Sequence, residues 1–284
     1  MGRTVNDIVR MKKEGTRISM LTAYDYYSGK LVSGAGIDII LVGDSLGMVM
    51  QGHKNTLPVT LEDMIYHTKM VDRGRSDALL VTDLPFMSFQ ESVSRAMSSA
   101  GRIMKESGAQ AVKLEGGSRV IPQVKAMTDA GIPVMGHLGL TPQSVNQFGG
   151  FKVQGKQEES ARTLIEDALE LQKAGAFSVV LETVPRELAE VITRKLDIPT
   201  IGIGAGPDCD GQVLVLHDLL GYDEEFNPTF VRKYAELNRV IKKAVTEYIN
   251  DIKGDSFPDD NESFHMEQDT ARKLREEYLN SGDN

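Results

Sequence analysis

From residue 17 to residue 216, short runs rich in Val, Ile and Leu alternate with longer amphipathic stretches, most of which end at a glycine. Eight runs have the composition of buried strands, and they cover residues 17–23, 37–43, 78–82, 111–114, 133–137, 177–181, 199–203 and 212–216. Eight strands alternating with helices within about 200 residues predict a parallel, closed (β/α)8 barrel. An open sheet would normally carry about five or six strands and a glycine-rich phosphate turn after the first one. The sequence Thr-Ala-Tyr-Asp at 22–25 is no such turn.

Amphipathic patterns predict the helices between these strands, and they cover residues 26–33, 61–72, 89–107, 120–130, 158–174 and 186–196. Thr60, with Asp63 three residues later, is an acidic version of the capping pattern at a helix start. Residues 228–250 predict one further helix after the barrel.

Residues 254–284 form an acidic tail with nine acidic and three basic side chains. A segment so charged could be disordered, but Phe257 and Phe264 offer apolar anchors, and residues 270–279 have the composition of a helix. We therefore assign residues 1–253 to a barrel catalytic domain. Residues 254–284 are predicted to dock on the barrel or on a neighbouring subunit.

The overall composition excludes several classes of protein. A net charge of −9, from 41 acidic and 32 basic residues, argues against nucleic-acid binding, which needs clustered Lys and Arg. No apolar run approaches the ~18 residues of a membrane span, and residues 1–15 lack the apolar core of a signal peptide. The single cysteine, Cys209, excludes an internal disulfide and a thiolate-rich zinc site. These features predict a soluble cytoplasmic protein.

Ionisable side chains stand at the ends of the predicted strands. Asp44, Asp83, Glu115 and Glu182 follow strands two, three, four and six, and His137 closes strand five. The βα loops of a barrel converge at this end, where barrel enzymes place their chemistry. Singly, the two aspartates could be helix N-caps, and Glu182 could pair with a surface Arg. Together, four carboxylates would repel one another unless a cation lay among them, and Mg²⁺ prefers such oxygen ligands.

Lys113 lies two residues before Glu115, so both side chains point to the same face of strand four. A buried lysine is costly unless paired, so a salt bridge to a neighbouring carboxylate is the simplest interpretation. The alternatives are a cation that holds a substrate carboxylate and a Schiff-base nucleophile. His137 could be a core histidine or a functional one. The remaining histidines are assigned structural roles: His53, His67, His217 and His265.

Residues 4–264 resemble the ketopantoate hydroxymethyltransferase family. The match rests on segments in family order, among them MLTAYDYYSGKLVSGAGID, ILVGDSLGMVMQG, VTDLPFMSF, AVKLEGG, PVMGHLGLTPQ and VLETVP. The resemblance implies transfer of a hydroxymethyl group from 5,10-methylenetetrahydrofolate to 3-methyl-2-oxobutanoate through a magnesium-stabilised enolate. The product would be 2-dehydropantoate, and the reaction would be the first step of pantothenate and coenzyme A biosynthesis. Nothing is carried over to the acidic extension beyond Phe264.

The resemblance also implies a barrel of the phosphoenolpyruvate/pyruvate-utilising type and a homodecamer of two pentameric rings. The C-terminal helical extension is predicted from the helical patterns after the barrel. Asp44, Asp83 and Glu115 would hold Mg²⁺, with Glu115 acting directly or through a water molecule. Glu182 would be the catalytic proton acceptor. Five residues would contact or line the pocket of the 2-oxo acid: Asp44, Ser45, Asp83, Lys113 and His137.

Three other hypotheses stay open. A Mg²⁺-dependent lyase or mutase of the phosphoenolpyruvate mutase and isocitrate lyase kind would share the barrel and the enolate. Those enzymes use a loop cysteine, however, and Cys209 is misplaced for that role. A Schiff-base aldolase would use Lys113 instead of a metal. A barrel that only binds a ligand or serves as a scaffold would not need four carboxylates at its mouth.

Overall fold

The computed structural model describes residues 2–148, 150 and 152–279. All eight predicted strands are present: β1 Ile18–Thr22, β2 Ile39–Val42, β3 Leu79–Asp83, β4 Ala111–Glu115, β5 Val134–Gly139, β6 Ser178–Glu182, β7 Thr200–Ile203 and β8 Gly211–Leu214. They pair in sequence order, and β8 pairs in parallel with β1 to close the barrel. The predicted (β/α)8 fold is confirmed.

The helices are α1 Val5–Lys13, α2 Tyr26–Gly34, α3 Leu46–Val49, α4 Leu61–Gly74, α5 Val93–Glu106, α6 Ile121–Asp129, α7 Val145–Phe148, α8 Glu158–Lys173, α9 Arg186–Lys195, α10 Leu216–Leu220, α11 Leu237–Lys253 and α12 Gln268–Tyr278. The capping box of Thr60 and Asp63 begins α4 as predicted. The same arrangement of Thr4 and Asp7 begins α1, which the sequence analysis missed. Within the described part of the chain, no helix is both long and apolar enough to cross a membrane.

The barrel interior is apolar at its base and ionisable at its top. Its core includes Ile18, Met20, Ile39, Leu41, Leu79, Val81, Ala111, Met135, Val180, Ile201 and Val213. Alternate residues of a strand point to the same face. Val81 is therefore followed on the inner face by Asp83, and Met135 by His137. Val180 is followed in the same way by Glu182. The apolar layer thus forms a floor beneath the functional residues.

The chain divides into two compact units, Met1–Tyr234 and Ala235–Asn284. This boundary lies before α11, whereas the sequence divides the chain at residue 253, and that domain assignment stays a prediction. The predicted helix over 228–250 is wrong at its start, because α11 begins at Leu237. The preceding residues contact the barrel instead: Phe230 lines a cavity there, and the Tyr234 N–H donates to the carbonyl oxygen of Leu219 at 2.8 Å.

The second unit contains α11 and α12, and neither helix has a buried residue. The helical pattern noted at 270–279 corresponds to α12. Within this unit the rings of Tyr248 and Phe257 meet edge to face, with centroids 5.6 Å apart. Docking of the tail stays a prediction, and residues 280–284 of that tail lie outside the described residues.

Candidate active site

A cavity of about 790 Å³ lies at the carboxyl ends of the barrel strands. Strands β3, β4 and β6 end at Asp83, Glu115 and Glu182. All seven residues singled out from the sequence line this cavity: Asp44, Ser45, Asp83, Lys113, Glu115, His137 and Glu182. The strand pattern therefore predicted which side chains share this cavity. What each of them does depends on the contacts between them.

Asp83 and Lys113 form a buried ion pair. The register of β3 on β4 sets the two residues side by side, and Lys113 Nζ lies 2.7 Å from Asp83 Oδ1, with both side chains about 5% exposed or less. Burial lowers the pKa of Lys113, but Asp83, Glu115 and Asp44 outweigh it and raise that pKa above its usual range. The salt-bridge interpretation of Lys113 is confirmed. A lysine held in its charged form is a poor Schiff-base nucleophile.

Asp44 lies two residues beyond β2 and faces like charges. Its backbone N–H donates to Asp83 Oδ2 at 3.1 Å, and its Oδ2 accepts from the side-chain amide of Gln143 at 2.8 Å. Burial and then the charges of Asp83 and Glu115 hold the pKa of Asp44 well above its usual range. The cluster therefore carries more negative charge than Lys113 alone relieves.

His137 lies between two carboxylates. The register of β4 on β5 pairs it with Glu115; its Nδ1 lies 3.5 Å from Glu115 Oε1, and its Nε2 lies 3.1 Å from Glu182 Oε2. Burial and the charge of Lys113 lower the pKa of His137, but the contacts with Glu115 and Glu182 raise it to about 9. The two carboxylates thus favour the charged imidazole, whereas the ammonium group of Lys113, 3.3 Å from the same Nδ1, opposes it. It lies two residues before the end of β5, not at the end itself.

Ser45 belongs to a hydroxyl pair that the sequence analysis did not identify. The Tyr24 hydroxyl lies 2.8 Å from Ser45 Oγ, and burial raises the pKa of this fully buried tyrosine above its usual range. A Cβ on Gly43 would stand 2.8 Å from Ser45 Oγ, so a glycine is needed there. His217, assigned a structural role from sequence, stacks against Tyr24 with ring centroids 5.6 Å apart and also lines the cavity.

The cavity extends from the carboxylates into a more apolar region lined by Met48, Leu140, Pro142, Val215, Phe226 and Phe230. Asp218 of α10 also lines it. Burial and the neighbouring Asp223 raise the pKa of Asp218 to about 6. A carboxylate in the middle of an otherwise apolar helix segment gave no sequence signal, because its importance depends on what packs around it.

The donor set suits a hard divalent cation. Mg²⁺ typically takes one or two carboxylates and completes its shell with waters and substrate oxygens. Among the described residues, no group of three or more His, Cys, Asp or Glu side chains is arranged so that it could hold a metal ion by itself. An ion on Asp44 and Asp83, with Glu115 acting through a water, needs no such group. The raised pKa of Asp44, caused in part by two like charges, indicates the negative charge that a cation would relieve.

A closed barrel with buried ionisable side chains at the carboxyl ends of its strands has the architecture of a (β/α)8 enzyme. The family model for ketopantoate hydroxymethyltransferase matches residues 3–260. A 3-methyl-2-oxobutanoate hydroxymethyltransferase of Syntrophus aciditrophicus is 58% identical over 92% of this chain and 96% of its own. One from Clostridium botulinum (strain Alaska E43 / Type E3) is 54% identical over 96% of this chain and all of its own. The chain belongs to the ketopantoate hydroxymethyltransferase family.

Solved structures share the fold of this barrel. A 2,3-dimethylmalate lyase, described as a PEP mutase/isocitrate lyase superfamily member, superposes with a TM-score of 0.59 and 16% identity, covering 100% of this chain and 99% of its own. At that identity the likeness extends to the fold alone. Cys209 is fully buried and is not among the residues that line the cavity. The site therefore does not offer the loop cysteine that the lyase hypothesis requires.

Proposed function

We propose that this enzyme transfers a hydroxymethyl group from 5,10-methylenetetrahydrofolate to 3-methyl-2-oxobutanoate, giving 2-dehydropantoate, in the first step of pantothenate and coenzyme A biosynthesis. The observation that carries the proposal is the convergence in one cavity of a carboxylate cluster, a buried lysine, and Glu182 next to His137. Assembly as a homodecamer belongs to the same proposal.

Asp44 and Asp83, with Glu115 directly or through a water, would hold Mg²⁺. A divalent cation there supplies a Lewis acid for the ketone and carboxylate oxygens of the 2-oxo acid. The ammonium group of Lys113, kept charged by its carboxylate neighbours, attracts the substrate carboxylate. The Ser45 hydroxyl lines the cavity and, held by that of Tyr24, can donate a hydrogen bond to the same substrate.

Glu182 is the base that takes the C3 proton of 3-methyl-2-oxobutanoate. Its side chain is 17% exposed, whereas that of Glu115 is 4% exposed, so Glu182 is the more accessible carboxylate. His137 contacts one of its oxygens at 3.1 Å, which orients the carboxylate. Glu115 and Glu182 raise the pKa of His137 to about 9, which makes Glu182 the better proton acceptor of the two at neutral pH.

The one-carbon donor takes the apolar part of the cavity. A volume of about 790 Å³ is in the range of sites for drug-sized ligands, and a five-carbon oxo acid occupies only part of it. Phe226 and Phe230 offer aromatic surface for the flat heterocycle of a folate. The enolate carbon C3 forms a bond to the methylene carbon of the donor as the first of its two carbon–nitrogen bonds breaks. Water supplies the hydroxyl group as the second carbon–nitrogen bond breaks. The two amine nitrogens take up the proton removed from C3 and one proton of the water, and tetrahydrofolate leaves.

An assay of both substrates with and without Mg²⁺ tests the proposal. We expect 2-dehydropantoate only when the oxo acid, the folate and the cation are all present, and no product in EDTA. Exchange of the C3 hydrogen in heavy water, followed by NMR, isolates the proton transfer and should need the cation but not the folate. Turnover that survives EDTA, together with trapping of Lys113 by borohydride, would establish the aldolase hypothesis instead.

A further inference from the structure

Gln143 connects the ends of three strands at the base of the carboxylate cluster. It is 5% exposed and lies in the short 3-10 turn Pro142–Ser144 that follows β5. Its side-chain Nε2 donates to Asp44 Oδ2 at 2.8 Å and to the carbonyl oxygen of Leu84 at 3.0 Å. Its backbone N–H donates to Glu115 Oε2 at 3.0 Å. Gln143 is therefore hydrogen-bonded to the loop after β2, to the residue that follows β3 and to the end of β4.

The orientation of this side-chain amide is set by a second glutamine. Gln90 donates from its Nε2 to Gln143 Oε1 at 2.9 Å. With the oxygen of Gln143 occupied as an acceptor, its two N–H donors point to Asp44 and to Leu84. The amide hydrogens of Gln143 are thus both used, and a rotation that exchanged its oxygen and nitrogen would set two acceptors, Gln143 Oε1 and Asp44 Oδ2, against each other.

These hydrogen bonds act on the carboxylates that carry the excess charge. Asp44 and Glu115 each accept one hydrogen bond from Gln143 through a single oxygen. Neutral donors stabilise a buried carboxylate without neutralising it. Asp44 Oδ1 is left for a cation, whereas Glu115 Oε1 faces His137 Nδ1 at 3.5 Å. Donors that hold ligating groups in this way commonly contribute about 10–100-fold to metal affinity.

We propose that Gln143 is a positioning residue that orients Asp44 and Glu115 for the divalent cation, and that Gln90 in turn orients Gln143. The inference rests on the proposed function, because the cation is the one proposed there. It goes beyond that function in assigning the geometry of the site to two residues that contact neither the cation nor the substrate.

Binding of Mn²⁺, measured by electron paramagnetic resonance on the full chain with 3-methyl-2-oxobutanoate present, tests this role. Gln143→Leu keeps most of the side-chain volume and removes both amide donors, and we expect its Mn²⁺ dissociation constant to rise about 10–100-fold. Gln90→Leu should raise the constant less, about threefold to tenfold, since it disturbs only the orientation of Gln143. The activity of each variant, relative to that of the wild type, should be higher at saturating Mg²⁺ than at limiting Mg²⁺.

Gln123→Leu is the matched control. Gln123 is also buried, at 7% exposed, but its Nε2 donates to the carbonyl oxygen of Phe89 and not to a carboxylate. This variant should bind Mn²⁺ like the wild type. If Gln143→Leu does not fold, Gln90→Leu decides the question by the same measurement.

If Gln143→Leu folds and binds Mn²⁺ as tightly as the wild type, the positioning role is overturned and the proposed function is unaffected. If Gln143→Leu does not fold, wild-type affinity in Gln90→Leu has the same meaning. A loss no greater than that of Gln123→Leu overturns it as well. A wild-type protein that binds no Mn²⁺ overturns the proposed metal, and the role of Gln143 with it.

Discussion

Replacing Lys113 by Met tests the electrostatic account of the site. Methionine keeps much of the length of the lysine side chain but removes the ammonium group that lies 2.7 Å from Asp83 Oδ1. Removing one partner of a buried ion pair typically costs about 3–5 kcal/mol. Asp83 retains the backbone N–H of Asp44 as a donor, so we expect the lower end, about 3 kcal/mol at pH 7.5.

The loss in the free energy of unfolding should be smaller at lower pH. Burial already raises the pKa of Asp83, and Lys113 is the main charge that opposes this rise; without it that pKa rises further. In the folded state of the variant Asp83 then binds a proton at a pH at which it does not in the unfolded chain. The free energy of unfolding of the variant therefore increases as the pH falls. The difference between the wild type and Lys113→Met should therefore be smaller at pH 5.5 than at pH 7.5.

Differential scanning calorimetry in EDTA, at one fixed protein concentration, measures both effects. A loss of about 3 kcal/mol corresponds to a melting temperature lower by roughly 6–12 °C for a unit of this size. Lys12→Met is the control: Lys12 pairs with Asp210 at 2.9 Å, outside the carboxylate cluster and with both side chains more exposed. Its effect should be smaller and similar at both pH values. An equal loss at pH 5.5 and 7.5 for Lys113→Met would refute the reasoning and indicate a packing defect.

Three further predictions concern other parts of the molecule. Burial and Asp223 raise the pKa of Asp218 to about 6, so the free energy of unfolding should fall as the pH rises from about 4 to 6. In Asp218→Asn this decrease in the free energy of unfolding should be smaller by about 1–2 kcal/mol, a figure that allows for the partial exposure of Asp218. A melting-temperature difference between variant and wild type that is the same at pH 4.5 and at pH 7 would contradict this. Glu182→Gln should preserve binding of Mg²⁺ and the oxo acid but slow C3 exchange about 10²–10⁴-fold, and equal exchange rates would make another group the base. A chain that ends at Lys253 should keep the melting temperature of the barrel and lose assembly in light scattering, whereas an unchanged oligomer would favour the disordered tail.

The sequence by itself determined the barrel and predicted the ionisable residues that line the candidate site. Strand composition and helical periodicity are local properties of the chain, and eight alternating units leave few topologies other than a closed barrel. The period of two along a strand then placed Asp83, Lys113 and Glu115 on inner faces above apolar residues, as the structure confirms. The limits of α11 were predicted less well, because residues 228–234 carry an apolar pattern that packs on the barrel without being helical.

The tertiary structure alone decided which of these residues contact one another. The register between neighbouring strands pairs Asp83 with Lys113 and Glu115 with His137, and no local pattern encodes that register. Gln143, Tyr24 and Asp218 are ordinary residues in the sequence. They matter because closure of the barrel brings the loops after different strands together, so that a turn after β5 reaches a carboxylate beyond β2 and another at the end of β4. Such contacts join residues 28 and 99 positions apart, and they depend on the packing of the whole barrel rather than on any single segment.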